Sequence, residues 1–146
     1  MITIIGSINL DLIARVERLP APGETVPGSA FSTAPGGKGA NQALAARRAG
    51  ASVRMIGAVG SDAFAAQALA LLEEAGVELS RVGKASSPTG IAMILVGGDG
   101  ENVIAVIPGA NAQVSPATVE AAGFDQGEFL LLQQEIPLAT IDAALR

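Results

Sequence analysis

An α/β fold is what this sequence predicts: the first part of a doubly wound parallel sheet, with a small β-sheet set into it. Short β-branched runs at residues 2–6 and 53–59 alternate with runs of strong helix formers at 38–49 and 61–75. That order with short joints implies parallel strands and right-handed crossovers. Two apolar runs flanking Gly97-Gly98-Asp99-Gly100 interrupt the rhythm and give the signal of a β-hairpin. With 146 residues, 49% apolar and only 16% charged, the chain is long and apolar enough for one domain with a buried core.

The elements follow in order. Residues 2–6 read as a strand buried on both faces and closed by Gly6. Leu12, Ala14 and Val16 alternate with Ile13, Arg15 and Glu17, as in a strand with one wet face, and Pro20, Pro22 and Gly23 turn the chain. Residues 26–33 form a second extended piece, which Pro35-Gly36-Gly37 breaks. A helix over 38–49 ends with Gly50 at its C′ position. After the strand at 53–59, Ser61 or Asp62 caps a helix that buries Phe64, Ala68, Leu71, Leu72 and Ala75 and stops at Gly76. The runs 91–96 and 102–107 are apolar on both faces, so each face must cover something. Ser115-Pro116 opens a short helix that Gly123 ends, residues 129–133 read as another buried strand, and Pro137 opens a last helix.

The composition excludes several chemistries. The chain has no His, Cys, Trp or Tyr, which removes histidine bases, Cys-His nucleophile pairs, Cys/His zinc sites and disulfides. A net charge of −5, with no basic cluster larger than Arg47-Arg48, makes nucleic acid and anionic membranes poor partners. The longest apolar stretch, residues 91–96, is far below the roughly 20 residues of a spanning helix, and the N-terminus lacks the basic flank of a signal peptide. The expectation is a cytoplasmic protein.

Polar groups collect at three places. Gly36-Gly37-Lys38-Gly39-Ala40-Asn41 sits at a strand-to-helix joint, where glycines let a ligand approach backbone N–H groups; a plain tight turn is the competing reading. A P-loop does not fit, because Ser32 stands where its first glycine belongs and Gly39 where its Ser or Thr belongs. A Rossmann-type dinucleotide fingerprint beginning at Gly37 fails at Gln42. Asn9 and Asp11 follow the first strand and, two apart on an extended chain, share a face; they suit vicinal hydroxyls, or form an Asx-type turn. Glu135, after the strand at 129–133, projects onto the same rim or caps the helix at Pro137.

With these residues in view, the chain resembles the N-terminal half of the ribokinase-like (PfkB) carbohydrate kinases over essentially its whole length. The first signature of that family is a Gly-Gly pair, a small residue, Asn, a small residue and then spaced glycines. Gly36-Gly37, Gly39, Asn41, Ala43, Gly50 and Gly60 meet it. Gly6 through Asp11, Thr89-Gly90, Glu101 through Ile104 and Gly109-Ala110-Asn111 follow the order of the ribose-specific members. The resemblance implies ATP-dependent phosphorylation of a sugar, D-ribose to ribose 5-phosphate. It makes Asn9, Asp11, Gly37, Lys38, Gly39, Asn41 and Glu135 the sugar-binding set. It also implies a β lid built from residues 12–33 and 89–107, with Ala92, Ile94 and Val106 facing the sugar. Ile91, Met93 and Leu95 would face the core or a partner lid in a homodimer. The family uses ATP and Mg²⁺, and a monovalent cation site also belongs to its pattern. Its second signature, an acidic glycine-rich loop carrying the catalytic Asp, does not occur between Met1 and Arg146. The expectation is therefore a chain with no catalytic residue and no metal ligand of its own, the nucleotide-binding half being absent and residues 1–146 inactive alone. A second reading is a fragment that binds sugar or dimerises without catalysis.

Overall fold

The computed structural model describes all 146 residues. Four parallel strands form the main sheet: β1 (Ile2–Ile5), β4 (Val53–Val59), β5 (Val82–Lys84) and β8 (Phe129–Leu132), in spatial order β5-β4-β1-β8. A second sheet has the order β3-β2-β6-β7, from β2 (Asn9–Val16), β3 (Gly28–Gly36), β6 (Gly90–Val96) and β7 (Asn102–Ile107). Its central pair, β2 and β6, is parallel, and the outer strands run antiparallel to them.

Helices cover both faces of the main sheet, because alternate residues of each central strand are apolar on opposite sides. Ile4 and Met55 pack with Ala40, Ala43, Ala68 and Leu72 of α1 (Lys38–Arg48) and α2 (Ala63–Ala75). Ile5 and Ile56 pack on the other side with Val119, Ala122, Ile141 and Ala144 of α3 (Pro116–Ala122) and α4 (Leu138–Ala144). This is the doubly wound arrangement expected from the run order.

Helix ends follow their local chemistry. Asp62 caps α2 by accepting from the Phe64 and Ala65 N–H groups at 3.0 and 3.2 Å, and Gly76 closes it in the left-handed conformation. Ser115 and Thr118 form a capping box on α3. Among the strands, Val53–Val59 has the expected bounds, whereas β3 runs on through Pro35 to Gly36.

Three differences from the sequence reading have physical causes. The strand at Phe129–Leu132 is an edge strand rather than a buried one, with Phe129 73% exposed and Leu131 39% exposed. It pairs only with β1, so one flank has no neighbour to cover it. Val82–Lys84 adds an edge strand beside β4, and Gly109–Gln113 forms a 3-10 turn after β7. Both are too short to carry a hydrophobic period.

Toward the N-terminal ends of the main strands, Arg54 and Glu128 form a buried ion pair at 3.0 Å, with side chains 11% and 2% exposed. Thr3 Oγ1 donates to Glu128 and accepts from Arg54 Nε. The pair therefore ties the loop before β8 to the sheet. No helix is long and apolar enough to cross a membrane.

Candidate functional site

The C-terminal ends of β1 and β8, the first turn of α1 and the root of β2 meet at one rim. Ser7, fully buried just after β1, is the hub. Its N–H donates to Gln133 Oε1 at 3.2 Å, and its hydroxyl donates to Glu135 Oε2 at 2.7 Å. The hydroxyl also accepts from the Gly39 N–H, and the Ser7 carbonyl accepts from the Ala40 N–H at 2.9 Å. Two of the first N–H groups of α1 are thus already partnered inside the protein. The expectation that a ligand takes the backbone donors of this helix start is corrected at Gly39 and Ala40.

Glycine is required here for close approach. A Cβ on Gly39 would lie 2.6 Å from the Ser7 nitrogen, so Gly39 is a packing residue that lets α1 dock against β1. Gly37 has φ of +90°, and a Cβ there would lie 2.8 Å from the Asn9 nitrogen and the Ser7 oxygen. Gly36 lies over the Asp11 carboxylate, 2.5 Å from Cγ to a Cβ placed on it. The glycine run is therefore more than a plain turn. It brings the helix start and the Asp11 carboxylate to one rim.

Three charged groups face one another on that rim. Lys38, 73% exposed at the first position of α1, forms an ion pair with Glu135. Burial works to raise the Glu135 pKa, but bonds from the Lys38 ammonium and the Ser7 hydroxyl outweigh it and hold the carboxyl below its ordinary range. Glu135 does not cap α4, whose N-cap is Pro137 with no side-chain bond. Asp11 goes the other way: burial, then the charge of Glu135, raises its pKa. Two ionised carboxylates beside one ammonium make a surface rich in acceptors, suited to a ligand with several hydroxyl donors.

Asn9 and Asp11 lie in regular strand rather than an Asx turn. Pairing puts Asp11, Ala92 and Val106 in one row across the second sheet, and Ile13, Ile94 and Ile104 in the next alternate row. By the pleat, these rows share a face. Ala92, Ile94 and Val106 thus stand on the same face as Asp11. An apolar groove on the opposite face is lined by Leu12, Ala14, Phe31, Met93, Leu95, Val103 and Ala105, and Ile94 contributes to its wall as well. Asn41, one turn beyond Lys38 on α1, is exposed and has Pro35, Ala40 and Leu44 as neighbours.

Sequence reasoning did not single out Ser7, Gln133 or the side chain of Asn111. The last is 1% exposed and holds the β1–β2 connection: it accepts from the Ile8 N–H and donates to the Ile8 carbonyl and to Asn9 Oδ1. Asp62 does more than cap, since it also accepts from the Thr89 N–H at 2.6 Å and the Thr89 hydroxyl at 2.9 Å beside the root of β6. No group of three or more metal-ligating side chains is gathered in the chain.

The chain is 44% identical to ribokinase of Lactococcus lactis over 142 residues, covering 95% of this chain and 47% of the relative. Its fold matches the crystal structure of ribokinase from Thermotoga maritima with a TM-score of 0.89 at 34% identity, covering 97% of this chain and 47% of that one. It matches Arabidopsis thaliana ribokinase complexed with ribose and ATP with a TM-score of 0.77 at 33% identity, covering 98% and 49%. The chain spans about half the length of each. The model of the pfkB family of carbohydrate kinases matches residues 1–145, and with that match spanning the rim, both sheets and all four helices, this chain belongs to the pfkB carbohydrate kinase family.

Proposed function

We propose that this chain forms the sugar-binding half and lid of an ATP-dependent sugar kinase that converts D-ribose to ribose 5-phosphate. The observation that carries the reading is the shared face of Asp11, Ala92, Ile94 and Val106 beside the Lys38–Glu135 pair. That arrangement sets hydroxyl acceptors on one side of a ligand and apolar cover on the other, as a pentose requires. In this reading Asp11 and Glu135 accept sugar hydroxyls, and Asn9 and Asn41 add amide contacts. Gly37 lets the helix start approach, Gly39 seats that helix, and Lys38 holds the Glu135 carboxylate in place. The second sheet is the lid. Similarity to ribokinases, one of them complexed with ribose and ATP, supports the choice of substrates.

The catalytic base and the nucleotide pocket, in this reading, belong to sequence corresponding to the half of the relatives that this chain does not cover. Phosphoryl transfer needs Mg²⁺ beside the donor phosphates and an in-line base. Residues 1–146 gather no group of three or more carboxylates for the first. Asp11 and Glu135 are engaged in holding the sugar, so neither is free for the second. The apolar groove on the outer lid face supports pairing with a second lid in a homodimer. The reaction is assigned to the cytoplasm, with no nucleic acid or membrane partner.

A coupled ADP-release assay with D-ribose and Mg·ATP tests the reading. Residues 1–146 alone give no turnover, and a protein that includes the nucleotide-binding half turns over at roughly 1–100 s⁻¹, as kinases do. Ribose-dependent turnover by residues 1–146 alone would put the catalytic centre among these residues and overturn the assignment.

A further inference from the structure

We infer that Asn111 is a positioning residue of the sugar site: it locks the Asn9 amide so that the Asn9 NH₂ group is presented to the ligand as a donor. The inference rests on the sugar-site reading above. It follows from a chain of hydrogen bonds that begins at the backbone. The Ile8 N–H requires an acceptor and the Ile8 carbonyl requires a donor, and both are met by Asn111, at 2.9 and 3.1 Å. Those two bonds leave no freedom in which end of the Asn111 amide is oxygen and which is nitrogen. The second proton of Asn111 Nδ2 then points at Asn9 from 2.7 Å and demands an oxygen there. Asn9 must answer with Oδ1, which turns its own Nδ2 away from Asn111.

That Nδ2 group is the free end of the relay. Asn9 is only 4% exposed, and its one side-chain bond is the one its oxygen accepts from Asn111. Its nitrogen is nevertheless not among the buried polar atoms left without a partner, so it keeps access to solvent. Asp11 lies two residues on along β2, on the same face. A donor at Asn9 followed by an acceptor at Asp11 selects a hydroxyl-bearing ligand whose oxygen accepts from one and whose hydrogen goes to the other. A methylene or a cationic group at the Asn9 position is rejected, because neither can accept a hydrogen bond.

The relay is also built into the root of the second sheet. Asn9 pairs in register with Gly90, where a Cβ would overlap both the Asn111 amide nitrogen and Asn9 Oδ1. Asn111 itself stands in the 3-10 turn that follows β7. The strand that enters the second sheet at Gly90 and the chain that leaves it after Ile107 therefore close on one amide contact.

Ribose titration of the intact protein and of three variants tests this. Asn9→Ala and Asn111→Ser each weaken D-ribose binding by about three- to tenfold, the loss of one neutral hydrogen bond. The double variant binds no more weakly than Asn9→Ala, because Asn111 acts only through Asn9. Unchanged affinity in Asn111→Ser, or losses that multiply in the double variant, overturns the inference and leaves the sugar site standing. Unchanged affinity in Asn9→Ala overturns the sugar-site reading and the inference together. A second measurement needs no variant, in case Asn111→Ser does not fold. In the side-chain amide NMR spectrum of the wild type, the Asn111 NH₂ pair is protected from solvent exchange with or without ribose. The Asn9 pair exchanges freely and becomes protected on adding ribose. An Asn9 pair already protected without ribose overturns the proposed orientation.

Discussion

Replacing Asp11 with asparagine separates what its carboxylate does for binding from what it costs the fold. In the folded chain, burial and then the neighbouring Glu135 charge raise the Asp11 pKa above its ordinary 3.8. The folded state therefore holds the Asp11 proton more tightly than the unfolded state does. Stability falls as pH rises from the ordinary value through the raised one, and above that window the ionised group is a standing cost. Asparagine cannot ionise and is nearly the same shape, so Asp11→Asn raises Tm at pH 7. Sugar binding moves the other way. A hydrogen bond to a charged group contributes about 1.5–3 kcal/mol, and at about 1.4 kcal/mol per decade its loss weakens ribose binding roughly 10- to 150-fold. Wild-type affinity falls as pH drops through the raised Asp11 pKa, and the variant lacks that step. Calorimetric ribose titration between pH 4 and 8, with scanning calorimetry on the same samples, reads all three effects. Undiminished affinity in Asp11→Asn, or a loss accompanied by a lower Tm, refutes the reasoning, because the carboxylate would then be structural.

Other sites give independent outcomes. Arg54→Ala strands the Glu128 carboxylate at 2% exposure and costs about 3–5 kcal/mol in urea unfolding. Glu128 is held below its ordinary 4.5 by the Thr3, Asp125 and Arg54 contacts, which outweigh its burial, so that stabilisation is present above the ordinary value and is lost as pH falls through the depressed one. Gly39→Ala drives a methyl group to 2.6 Å from the Ser7 nitrogen, and circular dichroism should show a large loss of Tm, whereas Gly50→Ala, with nothing near its Cβ position, pays only for its positive φ. Met93→Glu puts a charge into the apolar groove of the second sheet and, by light scattering, shifts a self-associated chain to monomer; self-association unaffected by that charge would remove the groove from the interface.

Much of this architecture was legible because its signals are local. Val53–Val59 has its expected bounds because an apolar run ends where Gly60 and Ser61 begin, and α1 is bounded by Gly37 and Gly50, both at positive φ. The hairpin around Asp99 was legible from its turn, where the Asp99 carboxylate accepts from the Glu101 N–H. Asn9 and Asp11 could be put on one face because a strand has a period of two, whatever surrounds it. The apolar run at 129–132 does not by itself show that Phe129 is exposed, since such a run reads the same at the centre and at the edge of a sheet. Ser7, Gln133 and Asn111 were missed as partners for a related reason. Their bonds join residues more than 100 positions apart: those of Ser7 and Gln133 exist only once the parallel order has brought the ends of β1 and β8 together, and that of Asn111 only once the turn after β7 has returned to the root of β2. The glycine run marked a close approach, and at Gly39 the approaching group differs from the one expected. A signal for close backbone approach does not say whether a ligand or another strand does the approaching, and at Gly39 it is the chain itself.

The most direct test of the sugar site is a crystal structure of the protein grown with D-ribose and a non-hydrolysable ATP analogue. The account predicts ribose on the rim, with two of its hydroxyls about 2.5–3.0 Å from the Asp11 carboxylate oxygens and the Ala92–Ile94–Val106 face closed over the ring. Ribose density away from Asp11 and Glu135, or ribose bound with that face turned to solvent, would contradict it.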